Sequence, residues 1–154
     1  QKKIETLILR PCTVIGPQIN NLMMKYLLTS YAPVCSDFNP MLQFLHEFDL
    51  ANIIVRSSKE LETGIYNVAP KECISLQRAK SLLGIPTLPI PSFFLSAAAK
   101  MTDTLWIFPQ YMLDFIKYSC VIDSSLLKNP LSKGDNKDFL KYSTKDALLL
   151  SKLE

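Results

Sequence analysis

The sequence predicts an α/β fold in which helices alternate with the strands of an incomplete parallel sheet. Two short runs, residues 4–10 and 65–69, are rich in aliphatic side chains and are typical of strands buried in such a sheet. Around them, apolar residues recur at the spacing of amphipathic helices. Two buried strands do not complete a parallel sheet, so we expect its other strands to belong to a longer chain.

The first half of the chain is predicted to contain a strand, a helix and short extended segments. Pro11 ends the first strand, because proline cannot donate a hydrogen bond to a sheet. Apolar residues at helical spacing predict a helix over 18–30. A short strand is predicted over 32–35 and an extended run over 41–45. Asp49 is well placed to cap the next helix.

The second half begins with the strand at 65–69. Ser75 is predicted to cap a helix that ends at Gly84, since glycine readily adopts the left-handed conformation that terminates helices. The proline-rich segment 85–91 predicts a connection without regular structure. Two apolar helices are expected after it, over 92–105 and 109–118.

The carboxyl-terminal third contains an apolar stretch, 93–116, that is interrupted by charged residues and a proline. It lacks the ~20 continuous apolar residues of a membrane span, so we predict a pair of buried helices and no membrane span. A charged loop over 128–138 precedes a last helix. Ser143 and Asp146 at its start resemble a capping box, with aspartate in place of the usual glutamate.

Length and composition fit one globular domain. The chain has 154 residues, of which 48% are hydrophobic and 20% charged, so disorder is not expected. The net charge of +3 is spread along the sequence, which argues against a nucleic-acid partner. The four cysteines form no C-x-x-C pair and the only histidine is His46. We therefore predict reduced, mostly buried thiols, a structural role for His46, no metal site and a cytoplasmic location.

Five segments carry motifs that occur in the same order in one enzyme family. They are L-R-P-C-T-V-I-G-P at 9–17, Q-F-L-H-E-F-D-L-A at 43–51, G-I-Y-N-V at 64–68, V-I-D-S-S at 121–125 and Y-S-T-K-D-A-L at 142–148. In order and spacing they resemble the extended short-chain dehydrogenase/reductases, which are the NAD-dependent epimerase/dehydratase enzymes typified by UDP-galactose 4-epimerase. The resemblance spans nearly the whole chain.

This resemblance implies that residues 1–154 form the last strands of an incomplete Rossmann-type parallel sheet plus a mostly helical substrate-binding subdomain. The family binds NAD at a glycine-rich turn and uses a Tyr-x-x-x-Lys motif as acid and base. Neither motif occurs in this sequence, and both would precede Gln1. We therefore expect NAD(P) as the cofactor of the full-length protein, and neither cofactor binding nor catalytic residues in this chain alone.

The resemblance places nicotinamide and substrate near the end of the first strand. It implies cofactor contacts for Pro11 and Cys12 and a substrate contact for Thr13. The residues themselves are equally consistent with a strand-to-loop turn at Thr13. Since no histidine or helix terminus is evident beside Cys12, we favour a buried cysteine over a reactive thiol there.

Further substrate contacts are implied for Asn20, Asn21 and Leu22, which resemble a segment that holds the nucleotide diphosphate, and for Val34, which corresponds to a strand against the base. The alternatives, an ordinary helix amino terminus and an edge strand, are slightly favoured by the residues themselves. At position 42 the family's nucleotide-sugar enzymes carry an arginine that grips the diphosphate, whereas this sequence has Leu42. That departure weakens the case for a nucleotide-sugar substrate.

Three functions follow from these observations. The first is the substrate-binding part of an NAD-dependent epimerase, dehydratase or reductase, with a nucleotide sugar or a related alcohol or ketone as its small-molecule substrate. The second is a non-catalytic binding or regulatory protein on the same scaffold. The third is a self-associating domain that forms a homo-oligomer through an open sheet edge.

Overall fold

The computed structural model describes residues 5–95, 97, 110–127 and 140–152, apart from the side chains at 110–112. The chain divides into two compact units. Unit 1 comprises the described residues of Gln1–Ile19, Gln43–Cys73 and Ile122–Glu154. Unit 2 comprises those of Asn20–Leu42 and Ile74–Val121.

Within its described residues, unit 1 contains two pairs of parallel strands, two helices and a further helical stretch at 125–127. Its elements are β1 (Leu7–Pro11), β2 (Thr13–Ile15), β5 (Phe44–His46), α2 (Glu47–Glu60), β6 (Gly64–Val68) and α5 (Thr144–Leu150). β1 pairs with β6 in parallel, and β2 pairs with β5 in parallel. The mixture of helices and short parallel strand pairs confirms the predicted α/β class.

The core of unit 1 lies on one face of the β1–β6 pair. Leu9 and Tyr66 pack against a cluster of buried side chains, namely Leu45, Ile53, Val68 and Leu127. Ile8 and Ile65, which are partners in the strand register, remain 43% and 49% exposed. The prediction that both strands are buried on both faces is therefore wrong for these residues. Side chains alternate between the two faces of a strand, and only the Leu9 face meets the core.

Unit 2 contains the other helices and strands. Its elements are α1 (Leu22–Leu28), β3 (Ala32–Cys35), β4 (Met41–Leu42), β7 (Ile74–Ser75), α3 (Leu76–Leu83), β8 (Thr87–Ile90) and α4 (Gln110–Lys117). β3 pairs with β8 in parallel, and β4 pairs with β7 antiparallel. The predicted strand at 32–35 is confirmed.

The proline-rich segment is a strand, contrary to prediction. In β8, Pro89 is the register partner of Val34. Proline cannot donate to a ladder but is tolerated in an edge strand, where a missing N–H leaves no gap between two neighbours. The prolines therefore led to the prediction of a connection, although the segment forms a short strand that pairs with β3.

Helix ends follow local signals in three of the predicted places. Ser75 caps α3 by accepting from the Arg78 N–H, and Gly84 ends that helix with a φ of 67°. Ser143 and Asp146 form the predicted capping box of α5. The helix predicted over 18–30 is shorter, since Asn21 is its N-cap and Thr29 its C-cap.

Other predictions for the carboxyl-terminal half are met in part. α4 matches the helix expected over 109–118, and residues 92–95 are helical. Phe93 and Phe94 are 76% and 62% exposed, so the prediction of a buried helix is wrong for these two residues. Most of the rest of the helix predicted over 92–105, and the loop at 128–138, lie outside the described residues. None of the helices within the described ranges is long and apolar enough to cross a lipid bilayer.

The cysteines are free thiols, but they are not mostly buried. Cys35 is buried and Cys12 half-buried, whereas Cys73 and Cys120 are exposed. Cys73 immediately precedes β7, and Cys120 follows α4, so both lie in connecting segments at the surface. The prediction of buried thiols is therefore wrong for these two residues.

Candidate functional site

The carboxyl ends of β1 and β6 form the first part of the candidate site. Pro11 is the register partner of Val68, and the Cys12 N–H donates to the Val68 carbonyl at 2.9 Å. Both strands therefore end at the same edge. In open parallel sheets this edge is where ligands bind.

Cys12 turns its side chain towards the core rather than outwards. It packs against the cluster around Leu45 and Val68, and its Sγ lies 3.9 Å from the Thr13 carbonyl oxygen. A half-buried thiol in apolar surroundings is a packing group, as the sequence favoured. Contact between Cys12 and a ligand would therefore run through its backbone, beside the exposed ring of Pro11.

Thr13 begins β2 and is the register partner of Phe44 in β5. Its side chain is half-buried, and its hydroxyl is a donor and an acceptor directly after the edge formed by β1 and β6. The predicted residues Pro11, Cys12 and Thr13 therefore lie together where the chain passes from one strand pair to the next.

Gln43 is a supporting residue that the sequence prediction missed. It is buried, its Nε2 donates to the Pro70 carbonyl at 2.7 Å, and its Oε1 accepts from the Ile122 N–H at 2.8 Å. The adjacent Ala69 carbonyl accepts from the Ser124 hydroxyl at 2.8 Å. These bonds fix the loop that follows β6. An isolated glutamine within the apolar run M-L-Q-F-L-H was the available signal.

His46, and not Asp49 as predicted, caps α2. His46 is the N-cap of α2, and its Nδ1 accepts from the Phe48 N–H at 3.3 Å. Asp49 does not cap α2. Its buried carboxylate accepts from the backbone N–H groups of Lys141 and Tyr142 at 3.0 and 2.9 Å. Partners some 90 residues away are invisible to local spacing, which explains the error.

The His46 side chain serves a structural role, as predicted. Its ring lies between those of Phe48 and Tyr142, with centroids 5.2 and 4.7 Å away. Its Nε2 is buried and makes no hydrogen bond within the described part of the chain. Since Nδ1 is engaged in capping and the ring is enclosed, His46 is poorly placed for proton transfer to a ligand.

Four predicted substrate residues belong to unit 2. Asn20 is exposed, and Asn21 accepts through its Oδ1 from the Met24 N–H at 2.8 Å, so it acts as a helix cap. Leu22 opens α1 and is half-buried. Val34 is buried in β3, so only its backbone could reach a ligand. Asn20, Asn21 and Leu22 adjoin in sequence, whereas Val34 lies on a separate element.

Leu42 is a core residue of unit 2. It is 1% exposed, pairs with Ile74 in the β4–β7 ladder and forms a bridge to Cys120. A buried leucine offers a diphosphate neither charge nor a hydrogen bond. The departure noted in the sequence is therefore built into the packing of this unit.

The described residues of the candidate site supply binding groups rather than acid–base groups. No set of three or more His, Cys, Asp or Glu side chains within the described ranges could hold a metal ion. Around Pro11, Cys12 and Thr13 the available groups are backbone carbonyls and the Thr13 hydroxyl, since Pro11 has no N–H and the Cys12 N–H is bonded to Val68. Such groups can orient a ligand by hydrogen bonds.

Comparison with known proteins identifies the fold. No family model matches the sequence. Over 90 residues the chain is 28% identical to uncharacterized proteins of Mycobacterium tuberculosis and Mycobacterium bovis, in an alignment that covers 58% of this chain and 24% of each of those proteins. At this level of identity and coverage the likeness does not identify a function.

Solved structures similar to the chain include three nucleotide-sugar enzymes. UDP-glucose 4-epimerase of Thermotoga maritima, solved with UDP-glucose, is 14% identical with a TM-score of 0.61, over 94% of this chain and 44% of that one. dTDP-glucose 4,6-dehydratase of Bacillus anthracis, solved with NAD, is 16% identical with a TM-score of 0.57, over 92% of this chain and 42% of that one. UDP-glucuronic acid 4-epimerase of Bacillus cereus, solved with NAD, is 17% identical with a TM-score of 0.58, over 94% of this chain and 42% of that one.

The chain therefore has the fold of part of the NAD-dependent epimerases and dehydratases, as its motifs predicted. It spans less than half the length of each of these solved structures. At identities below one fifth, the likeness establishes the fold and leaves substrate and activity to be argued from the site.

Proposed function

We propose that this chain is the substrate-binding part of an NAD-dependent epimerase/dehydratase-like protein. The observation that carries the proposal is the structural likeness, which extends over 92–94% of the chain but only 42–44% of each enzyme. The five sequence motifs support it, because they occur in the family's order across both units. The NAD-binding glycine-rich turn and the Tyr-x-x-x-Lys motif would be supplied by a longer chain.

Within this proposal the residues at the end of β1 orient the reacting groups. Hydride transfer is the chemistry that NAD supplies in such enzymes. Pro11 and Cys12 would contact the cofactor, the former through its exposed ring and the latter through its backbone. The Thr13 hydroxyl would hold a polar group of the substrate. Gln43 would keep the neighbouring loop at Pro70 in place.

Within unit 2, we propose further substrate contacts through Asn20, Asn21, Leu22 and the backbone of Val34. The Asn21 Oδ1 already accepts the capping bond of α1, so Asn21 would donate to the substrate through its amide NH₂. Leu42 gives a diphosphate no charged partner at its position. We therefore include related alcohols and ketones, as well as nucleotide sugars, in the proposed substrate class.

Binding to the longer protein that contains this sequence tests the proposal. With NAD present, calorimetry should detect binding of either UDP-glucose or an apolar cyclic ketone to this protein. Thr13→Val, which removes the hydroxyl but keeps the side-chain shape, should weaken that binding by roughly fivefold, the loss of about one hydrogen bond. The matched control is Thr63→Val, because Thr63 lies just before the amino end of β6. It should leave affinity unchanged.

Two results would contradict the proposal. If the unaltered protein binds neither ligand in the presence of NAD, the substrate-binding role is wrong. If both threonine variants weaken binding equally, the carboxyl edge of β1 is not the site.

Self-association is the alternative that one observation favours. The register partners Ile8 and Ile65 leave an apolar pair half exposed on one face of the β1–β6 pair. If this face mediates pairing between copies, the chain should sediment as a dimer, and Ile65→Lys should convert it to a monomer while the exposed substitution Ile54→Lys should not. A monomer at high concentration would count against this alternative.

A further inference from the structure

We infer that Lys80 is a positioning residue of unit 2, whose buried amino group ties the carboxyl end of α1 to α3 and, through Tyr26, to β3. The consequence of these contacts for ligand binding rests on the proposed function, because Asn21 caps α1, Leu22 begins it and Val34 lies on β3.

Lys80 is enclosed by the protein, with a side chain that is 0% exposed. Its Nζ donates to the carbonyl oxygens of Tyr26 and Thr29 at 2.9 and 3.0 Å. The last carbonyls of a helix have no partner within the helix, and a cation is favoured at that end. Lys80 thus completes the carboxyl end of α1 from a different helix, 51 to 54 residues later in the chain.

Tyr26 extends this connection to the β3–β8 pair. The Lys80 Nζ lies 4.7 Å from the centroid of the Tyr26 ring, a distance suited to a cation–π contact. On the other side, the buried Tyr26 donates its hydroxyl to the Pro33 carbonyl at 2.7 Å. One continuous set of contacts therefore runs from α3 through Lys80 and Tyr26 to β3.

This set of contacts matters because α1 is short. Seven residues do not form a stable helix alone in water, so the orientation of α1 depends on tertiary contacts. Burial of Met23 and Leu27 stabilises α1, but apolar packing is not directional. The hydrogen bonds from Lys80 are directional and fix the carboxyl end of α1 through the carbonyls of Tyr26 and Thr29. Releasing them should loosen α1 and β3 before the unit unfolds.

The charge of Lys80 gives the arrangement a distinctive pH dependence. Burial lowers the pKa of Lys80 from 10.5 to about 8. Among the described residues, Tyr26 contacts Lys80, and Cys35 interacts with Tyr26. Burial raises the pKa of both of these side chains, so they favour their neutral forms. A neutral Lys80 amine still has donors for both carbonyls.

The sign of the effect follows from proton counting. Above about pH 8 the packed unit loses the Lys80 proton while an opened unit keeps it up to the ordinary pKa of 10.5. The opened state therefore binds more protons in this range, and packing becomes more favourable as pH rises. From about pH 7 to about pH 9 the gain should be roughly tenfold in the equilibrium constant.

Amide hydrogen exchange on the chain tests the inference. Lys80→Met should speed exchange in α1 and β3 by roughly tenfold, as expected when buried carbonyls lose their partners, and leave β1 and β6 unchanged. The matched control is Leu76→Val, another buried substitution in α3. It should raise exchange throughout unit 2 without singling out α1 and β3. After correction for intrinsic rates, protection of α1 should rise roughly tenfold between about pH 7 and about pH 9 in the unaltered chain, but not in Lys80→Met.

The inference fails if Lys80→Met loosens α1 and β3 no more than Leu76→Val does, or if the pH response survives the substitution. Should Lys80→Met not fold, Tyr26→Phe removes only the bond to Pro33 and should loosen β3 while the end of α1 stays protected. An unchanged β3 would then overturn the inference.

A ligand measurement separates this inference from the proposed function. In the longer protein with NAD, Lys80→Met should weaken UDP-glucose binding more than Leu76→Val does. If the unaltered protein does not bind UDP-glucose or the ketone probe, the proposed function fails, and the exchange result still decides the role of Lys80.

Discussion

Replacing Phe44 with alanine is expected to destabilise the protein by about 4 kcal/mol, since it truncates a large aromatic side chain in the core. Phe44 is 0% exposed and is among the largest fully buried side chains in the described part of the chain. Removing its ring eliminates apolar contacts and leaves a cavity, because close-packed surroundings collapse only partly. Urea unfolding followed by circular dichroism measures the change.

Phe48→Ala is the matched control for this substitution. Phe48 is four residues away but 63% exposed, so its truncation should cost less than about 0.5 kcal/mol. Equal losses in the two variants would show that Phe44 is not a core residue. Because Phe44 is the register partner of Thr13, we also expect Phe44→Ala to loosen β2, visible as faster amide exchange at residues 13–15.

Replacing Asp49 with alanine should cost about 3 kcal/mol. Its buried carboxylate accepts two backbone hydrogen bonds, from Lys141 and Tyr142, and bonds to a charged acceptor are each worth about 1.5–3 kcal/mol. Loss of the carboxylate leaves both N–H groups without that partner. Asp49→Asn keeps the shape and one acceptor oxygen, so its cost should be about half as large.

The control for Asp49 is a carboxylate on the same helix whose role is local. Glu60 pairs with Arg56 at 3.0 Å on the surface of α2, and Glu60→Ala should leave the free energy of unfolding almost unchanged, because exposed ion pairs contribute little. Amide exchange adds a second measurement. In Asp49→Ala the protection of α5 should fall before that of β6, because Asp49 holds the segment that leads into α5. If the protection of α5 does not fall, the bonds from Asp49 to Lys141 and Tyr142 do not hold this segment in place.

The bonds from Asp49 to Lys141 and Tyr142 also affect the candidate site, because they position α5. Thr144, the first residue of α5, donates its hydroxyl to the Glu72 carbonyl at 2.7 Å and accepts from the Phe44 N–H at 3.5 Å. The carboxyl-terminal segment therefore touches both β5 and the chain that follows β6. Weakening it should disturb the surroundings of Thr13 and Pro70 without altering either residue.

Family motifs mark the residues that we propose for the candidate site, but they do not show the bonds that support those residues. The motif at 9–17 includes Pro11, Cys12 and Thr13, which lie where β1 ends and β2 begins, and their ligand contacts stay a prediction. Gln43 lies within the motif at 43–51, but its supporting role is visible only in its bonds to Pro70 and Ile122. Local sequence does not specify which distant carbonyl a buried amide will meet.

Errors in the predicted fold have the same origin. Pro89 argued for a connection, but β8 forms because β3 provides a ladder that tolerates proline at its edge. Ile8 was expected to be buried because the run L-I-L is apolar throughout, yet only one face of β1 meets the unit 1 core. Hydropathy reports what a side chain prefers and not whether a neighbour is present to cover it.

What the sequence determined by itself are the features governed by neighbours within one turn. The cap at Ser75, the left-handed Gly84, the capping box at Ser143 and the α/β class follow from spacing and side-chain chemistry. The tertiary structure alone decided that Asp49 holds a segment 92 residues later and that Lys80 completes the end of another helix. Buried polar groups take whichever partners the packing brings to them, because leaving them unpaired costs more than any local preference gains.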